Sequence, residues 1–283
     1  MSTPQPDDQR PDQLVLVGPV YLAGIGDTAA IYDSLDDTRG WGKAITDSGL
    51  CFTSPRHDVH VAYLPHSRDG GWKITRSHEP LGIPAWTATF SRYTPTEITA
   101  AFTDALATCL AAGHAHPWDF GPDQEIALPD DVLAEHGWRT DHTEMDISQY
   151  SPDGHAYFSR RDYDVPDHAE LAGERRAMWT MYARVDGVNG ERWHADFTSC
   201  TPLYLLTQTA RAFSSTEPVQ RIRSSIPQRN LPYVTTTPVP EPDSDRLKSA
   251  ALARTPHTLP AIPAPATDTA LPGPTPPVPF PRR

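Results

Sequence analysis

The chain has 283 residues, 38% of them hydrophobic, and its Lys+Arg 24 against Asp+Glu 36 leave a formal net charge of −12. That length admits one or two domains with buried cores, and the acidic balance disfavours general binding to a phosphate backbone. Three cysteines without a CxxC leave one unpaired, which argues against a disulfide scaffold and for a reducing compartment.

Residues 1–13, MSTPQPDDQRPDQ, are polar and read as a disordered leader without the apolar segment of a signal peptide. No run approaches the roughly 20 apolar residues of a membrane span, so a soluble, cytoplasmic protein is expected. Leu14-Val15-Leu16-Val17 reads as a strand that Val20-Tyr21-Leu22 continues or pairs with. Asp27 is placed to cap a helix with Ala30, Ile31 and Leu35 on one face. Gly24-x-Gly26 lacks the third glycine of a phosphate-binding turn, and a turn before a helix is the better account.

Gly40-Trp41 ends that helix. Cys51-Phe52-Thr53-Ser54 and Val59-His60-Val61-Ala62-Tyr63-Leu64 read as strands joined by a turn of hairpin length. A second turn leads to the strand Trp72-Lys73-Ile74-Thr75. In AWTATFSRYTPTEITAAFTDALATCL, residues 85–110, Trp86, Ala88 and Phe90 alternate with polar residues, the mark of a half-buried strand. Thr94, Pro95 and Glu97 then form a capping-box pattern. Ile98, Ala101, Phe102, Ala105, Leu106, Cys109 and Leu110 make one helical face apolar. The unit reads helix, four antiparallel strands, helix.

A second copy follows. Trp193, Ala195, Phe197, Thr201 and Pro202 repeat Trp86, Ala88, Phe90, Thr94 and Pro95 at an offset of 107 (193 − 86), which Trp72 and Trp179 share. Gly40-Trp41 and Ser54-Pro55 recur as Gly137-Trp138 and Ser151-Pro152 at 97 (137 − 40). The single change of offset places a loop about ten residues longer in the second copy, within SRRDYDVPDHAELAGERR, which is charged and expected to be exposed. From Pro227 onward the chain holds about half its 31 prolines and reads as a polyproline-leaning disordered tail.

The expected organisation is therefore a leader at 1–13, repeat domains at 14–113 and 114–226, and a tail at 227–283. The expected fold is α+β: two tandem four-stranded antiparallel sheets with flanking helices, a pseudo-dimer within one chain.

Gly-Trp, then Ser-Pro (Ser151-Pro152-Asp153-Gly154 in the second copy), a Trp strand, and Trp-x-Ala-x-Phe before Thr-Pro and a helix together resemble the SPDY-type domain of streptomycetes and their relatives. The resemblance spans about Leu14 to Arg223 and implies a duplicated domain of unknown function. It carries over no catalytic residues. The first copy departs from it, having Arg56-His57 where the second has Asp153-Gly154.

The chemistry-bearing residues have bland readings beside them. His114, His116 and Asp119, or His57, His60 and His66, lack the spacing of a zinc site. No GxSxG elbow is present. Cys109 lies on an apolar helical face; Cys200 sits in a strand-to-helix turn, where a helix N-terminus lowers a thiol pKa, but a spacer is the simpler reading. Glu144, Asp146, Asp162 and Asp164 read as solvated carboxylates. The tryptophans Trp41, Trp72, Trp86, Trp138, Trp179 and Trp193 read mainly as core, with a surface aromatic platform as the functional alternative. Trp72, Trp179, Ser151, Asp153 and Gly154 are the binding candidates; no catalytic residue, metal ligand or cofactor is assigned.

The expected function is a non-enzymatic interaction or regulatory module whose partner is another protein, with direct nucleic-acid and membrane binding disfavoured. The alternatives are a hydrolase-type site in the groove between the copies and an acidic regulator that engages a nucleic-acid-binding protein.

Overall fold

Trp86, Ala88 and Phe90 do sit on one buried face of a strand, and that strand is the middle of the molecule. The computed structural model describes residues 10–36, 39–67, 70–79, 82–112, 127–185 and 192–239. All of these lie in one compact unit, Met1–Val239; the remaining unit, Pro240–Arg283, and the linker histidines His114 and His116 with Asp119 lie outside the described residues.

The first copy contributes helix α1 (Ala29–Ser34), strands β2 (Gly42–Thr46), β3 (Gly49–Thr53), β4 (Val59–Tyr63), β5 (Trp72–Ser77) and β6 (Pro84–Phe90), and helix α2 (Thr96–Ala112). Strand β1 (Leu14–Gly18) precedes them. The second copy contributes α3 (Pro129–Glu135), β7 (Arg139–His142), β8 (Asp146–Tyr150), β9 (Ala156–Arg161), the short α4 (Asp167–Leu171), β10 (Trp179–Arg184), β11 (Arg192–Phe197) and α5 (Leu203–Phe213). Strands β12 (Val219–Ile222) and β13 (Thr235–Pro238) follow.

The α+β class holds, but the sheets are not two of four strands. Among the described residues the two copies form one ten-stranded antiparallel sheet in the order β2-β3-β4-β5-β6-β11-β10-β9-β8-β7. Each copy supplies five strands. The two that went unread, β2 and β7, are exposed at every position, so they carry no apolar alternation from which to infer a strand.

The register gives the join its geometry. Asp196 faces Thr89 across the β6–β11 pair, and these residues are themselves counterparts at the offset of 107 (196 − 89). A pseudo-twofold axis therefore passes between them. The hydrogen bonds obey it: Ser91 N–H donates to the His194 carbonyl at 2.9 Å, and its counterpart Thr198 N–H donates to the Thr87 carbonyl at 3.0 Å. Likewise the Ser91 hydroxyl accepts from His194 N–H, and Thr198 Oγ1 accepts from Thr87 N–H, both at 2.9 Å.

One face of the sheet is covered by helices, with α1 against α2, α2 against α5, and α5 against α3. Phe102 of α2 is the keystone of that layer. Its ring lies 5.5 Å from Phe90 of the first copy and 5.8 Å from Phe197 of the second. Such aromatic contacts add about 0.5–1.5 kcal/mol each beyond burial, so Phe102 joins the copies as well as filling the core.

Helix α2 starts at Thr96, and the capping box does not form. Thr94 Oγ1 instead donates to the His194 carbonyl at 3.4 Å across the join. The Glu97 carboxylate turns outward to Arg221, accepting from both terminal guanidinium nitrogens at 2.7 Å. A charge-assisted bidentate pair outcompetes a single bond to a backbone amide. Asp27 does act as read, accepting from Ala29 N–H at 3.0 Å.

Strand β1 is a strand, yet it joins neither copy's sheet. It lies between β12 and β13 in a separate three-stranded sheet. Residues 20–22 form a 3-10 turn rather than an extension of that strand. Residues 227–239, read as the start of the tail, include the 3-10 turn Leu231–Tyr233 and the strand β13. Backbone pairing with the apolar β1 orders a polar Thr-rich stretch that buries little by itself.

The inserted loop also departs from expectation. Arg161 is 2% exposed and Glu170 5%. Arg161 Nε donates to the Tyr163 carbonyl at 2.9 Å, and Nη1 reaches both the Arg176 carbonyl and Glu170. Glu170 also accepts from Met178 N–H, from Ser199 N–H at 3.0 Å and from Ser199 Oγ at 2.7 Å. The two charges neutralise one another and tie α4 to β9, β10 and the end of β11, as buried charges require.

Candidate binding face

Because side chains alternate along a strand, the face opposite the helices is read directly from the register. One row crosses all ten strands: Ala44, Cys51, Ala62, Lys73, Thr89, Asp196, Thr180, Ser159, Ser148 and Asp141. It is small and polar. The next row in the second copy is different: Arg139, Tyr150, Tyr157, Tyr182 and His194 are successive cross-strand neighbours on β7 to β11.

This row is an aromatic stripe capped by cations. The Tyr150 and Tyr157 rings lie 5.3 Å apart at 53°. The Arg139 guanidinium stands 5.6 Å over Tyr150, and that of Arg184 stands 5.6 Å over Tyr182. The Tyr157 hydroxyl is 3.2 Å from Ser148 Oγ. The tyrosines and His194 are half-buried, and both arginines are exposed. In the first copy the counterparts are Thr53, His60, Thr75 and Thr87, at the offsets of 97 and 107. There the only ring is His60, whose Nδ1 is 3.3 Å from Thr53 Oγ1. The copies share a backbone plan and differ on this face.

The ends of the face are bounded. At one end the insertion folds over it, with Arg176 bonded to Ser159 Oγ and to both Asp146 oxygens at 3.0 and 3.1 Å. At the other, Tyr233 meets His155 with ring centroids 4.6 Å apart.

The residues singled out from sequence lie elsewhere. Trp72 and Trp179 are 6% and 7% exposed and point into the helix-covered core, so they are not surface aromatics. A large apolar ring on the helix-facing beat of a strand is buried by that packing. All six repeated tryptophans are buried, Trp41 and Trp138 just ahead of β2 and β7 and the other four on strands. Ser151, Asp153 and Gly154 sit together in the β8–β9 turn, away from both tryptophans along the sheet. Ser151 Oγ donates to Asp153 Oδ1 at 2.5 Å and accepts from Ala156 N–H at 2.9 Å; Asp153 Oδ1 also accepts from His155 N–H at 3.0 Å.

The same turn forms in the first copy. Ser54 Oγ accepts from Val59 N–H at 3.1 Å and donates to Asp58 at 3.0 Å. Gly154 and its counterpart His57 both adopt positive φ, +75° and +59°. In the second copy Asp153 Oδ2 also accepts the Tyr21 hydroxyl at 2.9 Å. Burial, then the Asp153 charge, holds that phenol protonated well above its ordinary range.

The reactive-group readings are answered by geometry. Ser91, His194 and Asp196 do meet at the join, but Ser91 Oγ accepts from the His194 backbone, while the imidazole Nε2 lies 3.9 Å from Asp196. Asp196 accepts instead from Thr180 Oγ1 at 2.8 Å. A nucleophile–base pair needs its hydroxyl on the imidazole, and here it is not. Cys200 is exposed, but partial burial and then Asp167, 3.8 Å away, raise its thiol pKa rather than lower it. Burial pushes the Cys109 thiol up to about 11. Among the described residues no group of three His, Cys, Asp or Glu could hold a metal ion, and no helix is long and apolar enough to cross a membrane.

The tyrosine stripe carries a weaker sequence signal than the repeated tryptophans, because its residues do not recur in the first copy. Tyr150, Tyr157 and Tyr182 occupy the off-beat positions beside Gln149, Phe158 and Met181. Reading the outward beat of β8, β9 and β10 alongside the buried one picks them out.

No curated protein and no solved structure matches the chain. A family model does, over residues 53–109 and 150–219: the SPDY domain, a domain of unknown function (DUF317). The two matched segments run from the Ser-Pro turn through the long helix of each copy. The offsets, the register symmetry and this double match agree that the chain carries two copies of the SPDY domain.

Proposed function

We propose that the protein is a non-enzymatic interaction module that engages another protein through the open face of its second copy. The observation that carries this reading is the Tyr150–Tyr157–Tyr182–His194 row with Arg139 and Arg184 at its flanks. Tyrosine and arginine are the residues that dominate protein-interface energetics, giving rigid contact area together with hydrogen-bonding tips. The stripe lies on a rigid sheet, so little ordering entropy opposes docking. The exposed arginines favour a partner with carboxylates facing them, and the first copy serves as the scaffold that completes the sheet.

The test is a quantitative capture from native lysate with the full chain, comparing wild type with Tyr157→Ser/Tyr182→Ser. The expected result is a protein retained by wild type and depleted at least about tenfold by the variant, the loss of about 1.4 kcal/mol that one interface anchor exceeds. Equal retention by both, with both folded, sinks the reading.

A further inference from the structure

A second concavity lies apart from the open face, where the chain's non-repeated segments converge on both copies. It is a cleft of about 880 Å³ bounded by residues 14–27, Tyr93, β11 and residues 220–230. That volume is within the range of small-molecule sites.

Its walls are tied together by long-range hydrogen bonds. Arg221 is bound by Glu97 and also donates to the Gly24 carbonyl at 3.1 Å. Asn230 Nδ2 donates to the Leu22 carbonyl at 2.7 Å, and Trp193 Nε1 to the Tyr21 carbonyl at 2.9 Å. Gly26, at φ +81°, lies against the guanidinium so closely that a Cβ there would stand 2.6 Å from Arg221 Cζ. The cleft is therefore held open by buried polar bonds rather than by loops free to collapse.

Its lining is apolar at the rim and uncharged within. Leu14, Ile25, Tyr93 and Ile222 are among the exposed large hydrophobic side chains of the described residues, and all four line this one cleft. Single exposed apolar residues need no explanation, but four on one rim do. Arg221 is neutralised by Glu97, and the lining holds one further side chain of each sign, Asp27 and Arg192. Gln220, Ser224, Ser225 and Gln228 also line the cleft and are exposed, so amide and hydroxyl groups offer both donors and acceptors to an occupant.

We propose that this cleft binds an uncharged, mainly apolar organic molecule that carries an amide-like donor and acceptor. The apolar body covers the rim residues, and the amide meets the polar wall. This site is independent of the tyrosine face.

The test uses the full chain and N-phenyl-1-naphthylamine, an uncharged aromatic fluorophore with one N–H donor. A saturable, one-site rise in fluorescence is expected. Ile222→Asp and Tyr93→Asp should each weaken it at least about tenfold without shifting the melting temperature. Ile83→Asp, at a still more exposed apolar residue that does not line the cleft, should leave it unchanged. Benzanilide should displace the dye at a concentration about fivefold lower than its hydrocarbon isostere stilbene, the gain expected of one net hydrogen bond. No saturable binding, equal loss in Ile83→Asp, or equal displacement by the two competitors overturns the proposal.

Discussion

Glu170→Ala should be among the most damaging single substitutions in the second copy, although it falls in a stretch that looks like solvated loop. The carboxylate accepts from Arg161, from Met178 N–H and from both the N–H and hydroxyl of Ser199. Removing it leaves Arg161, 2% exposed, as an unpaired buried cation. Breaking a buried pair from one side costs about 3–5 kcal/mol. For a folded part of this size each kcal/mol shifts the melting temperature by about 2–4 °C, so the fall should be about 6–20 °C. Thermal and urea unfolding of the full chain measure it. Arg161→Met/Glu170→Leu should regain most of the loss, because no orphaned charge remains. A fall below about 2 °C, or a double variant as unstable as Glu170→Ala, would refute the reasoning.

The duplication was legible because it rests on residues whose physics is local. Gly-Trp, Ser-Pro and Trp-x-Ala-x-Phe mark turns and half-buried strands wherever they occur, and fixed offsets convert them into a repeat. What the repeat does with its edges was not legible. Ala88, Phe90, Ala195 and Phe197 would alternate identically whether β6 and β11 paired or stood apart, since alternation reports faces and not neighbours. The missed strands β2 and β7 have nothing buried to report. Sequence proximity pairs Glu97 with Thr94 as a cap, whereas its partner in the fold, Arg221, is 124 residues away. The insertion was read as exposed for a similar reason, since Arg161 and Glu170 are charged and only their mutual pairing makes burial tolerable. At the candidate site, tryptophans drew the reading to the core beat of each strand, while the surface beat carried the tyrosines.

Further outcomes follow from particular contacts. Tyr21→Phe deletes the hydroxyl bond to Asp153 and should cost about 1.5–3 kcal/mol in urea unfolding, the range for a bond to a charged group. Cys109 should resist maleimide at pH 8 until the protein unfolds, since its thiol is raised to about 11. Asp167→Asn should speed labelling of Cys200, because removing the neighbouring carboxylate lowers the thiol pKa. Asp130 has its carboxyl pKa raised by burial, partly opposed by Arg160. The folded state then binds the proton more tightly, so this group's contribution is greatest below the ordinary value of 3.8 and is lost as pH rises through the raised one. Denaturation midpoints from pH 3 to 6 should accordingly fall less with rising pH in Asp130→Asn than in wild type. A steeper fall in the variant would reverse the sign.

Two copies share one sheet, and in the proposed function only the second presents a binding stripe. Tyr157 and His60 are counterparts on that sheet, so they make the most direct comparison. A photo-crosslinking amino acid, p-benzoylphenylalanine, placed at one position or the other in the full chain and irradiated in native lysate, reads out which copy meets a partner. If only the second copy binds, position 157 gives a discrete protein adduct and position 60 gives none. The same adduct from both positions, or one from position 60 alone, would contradict it.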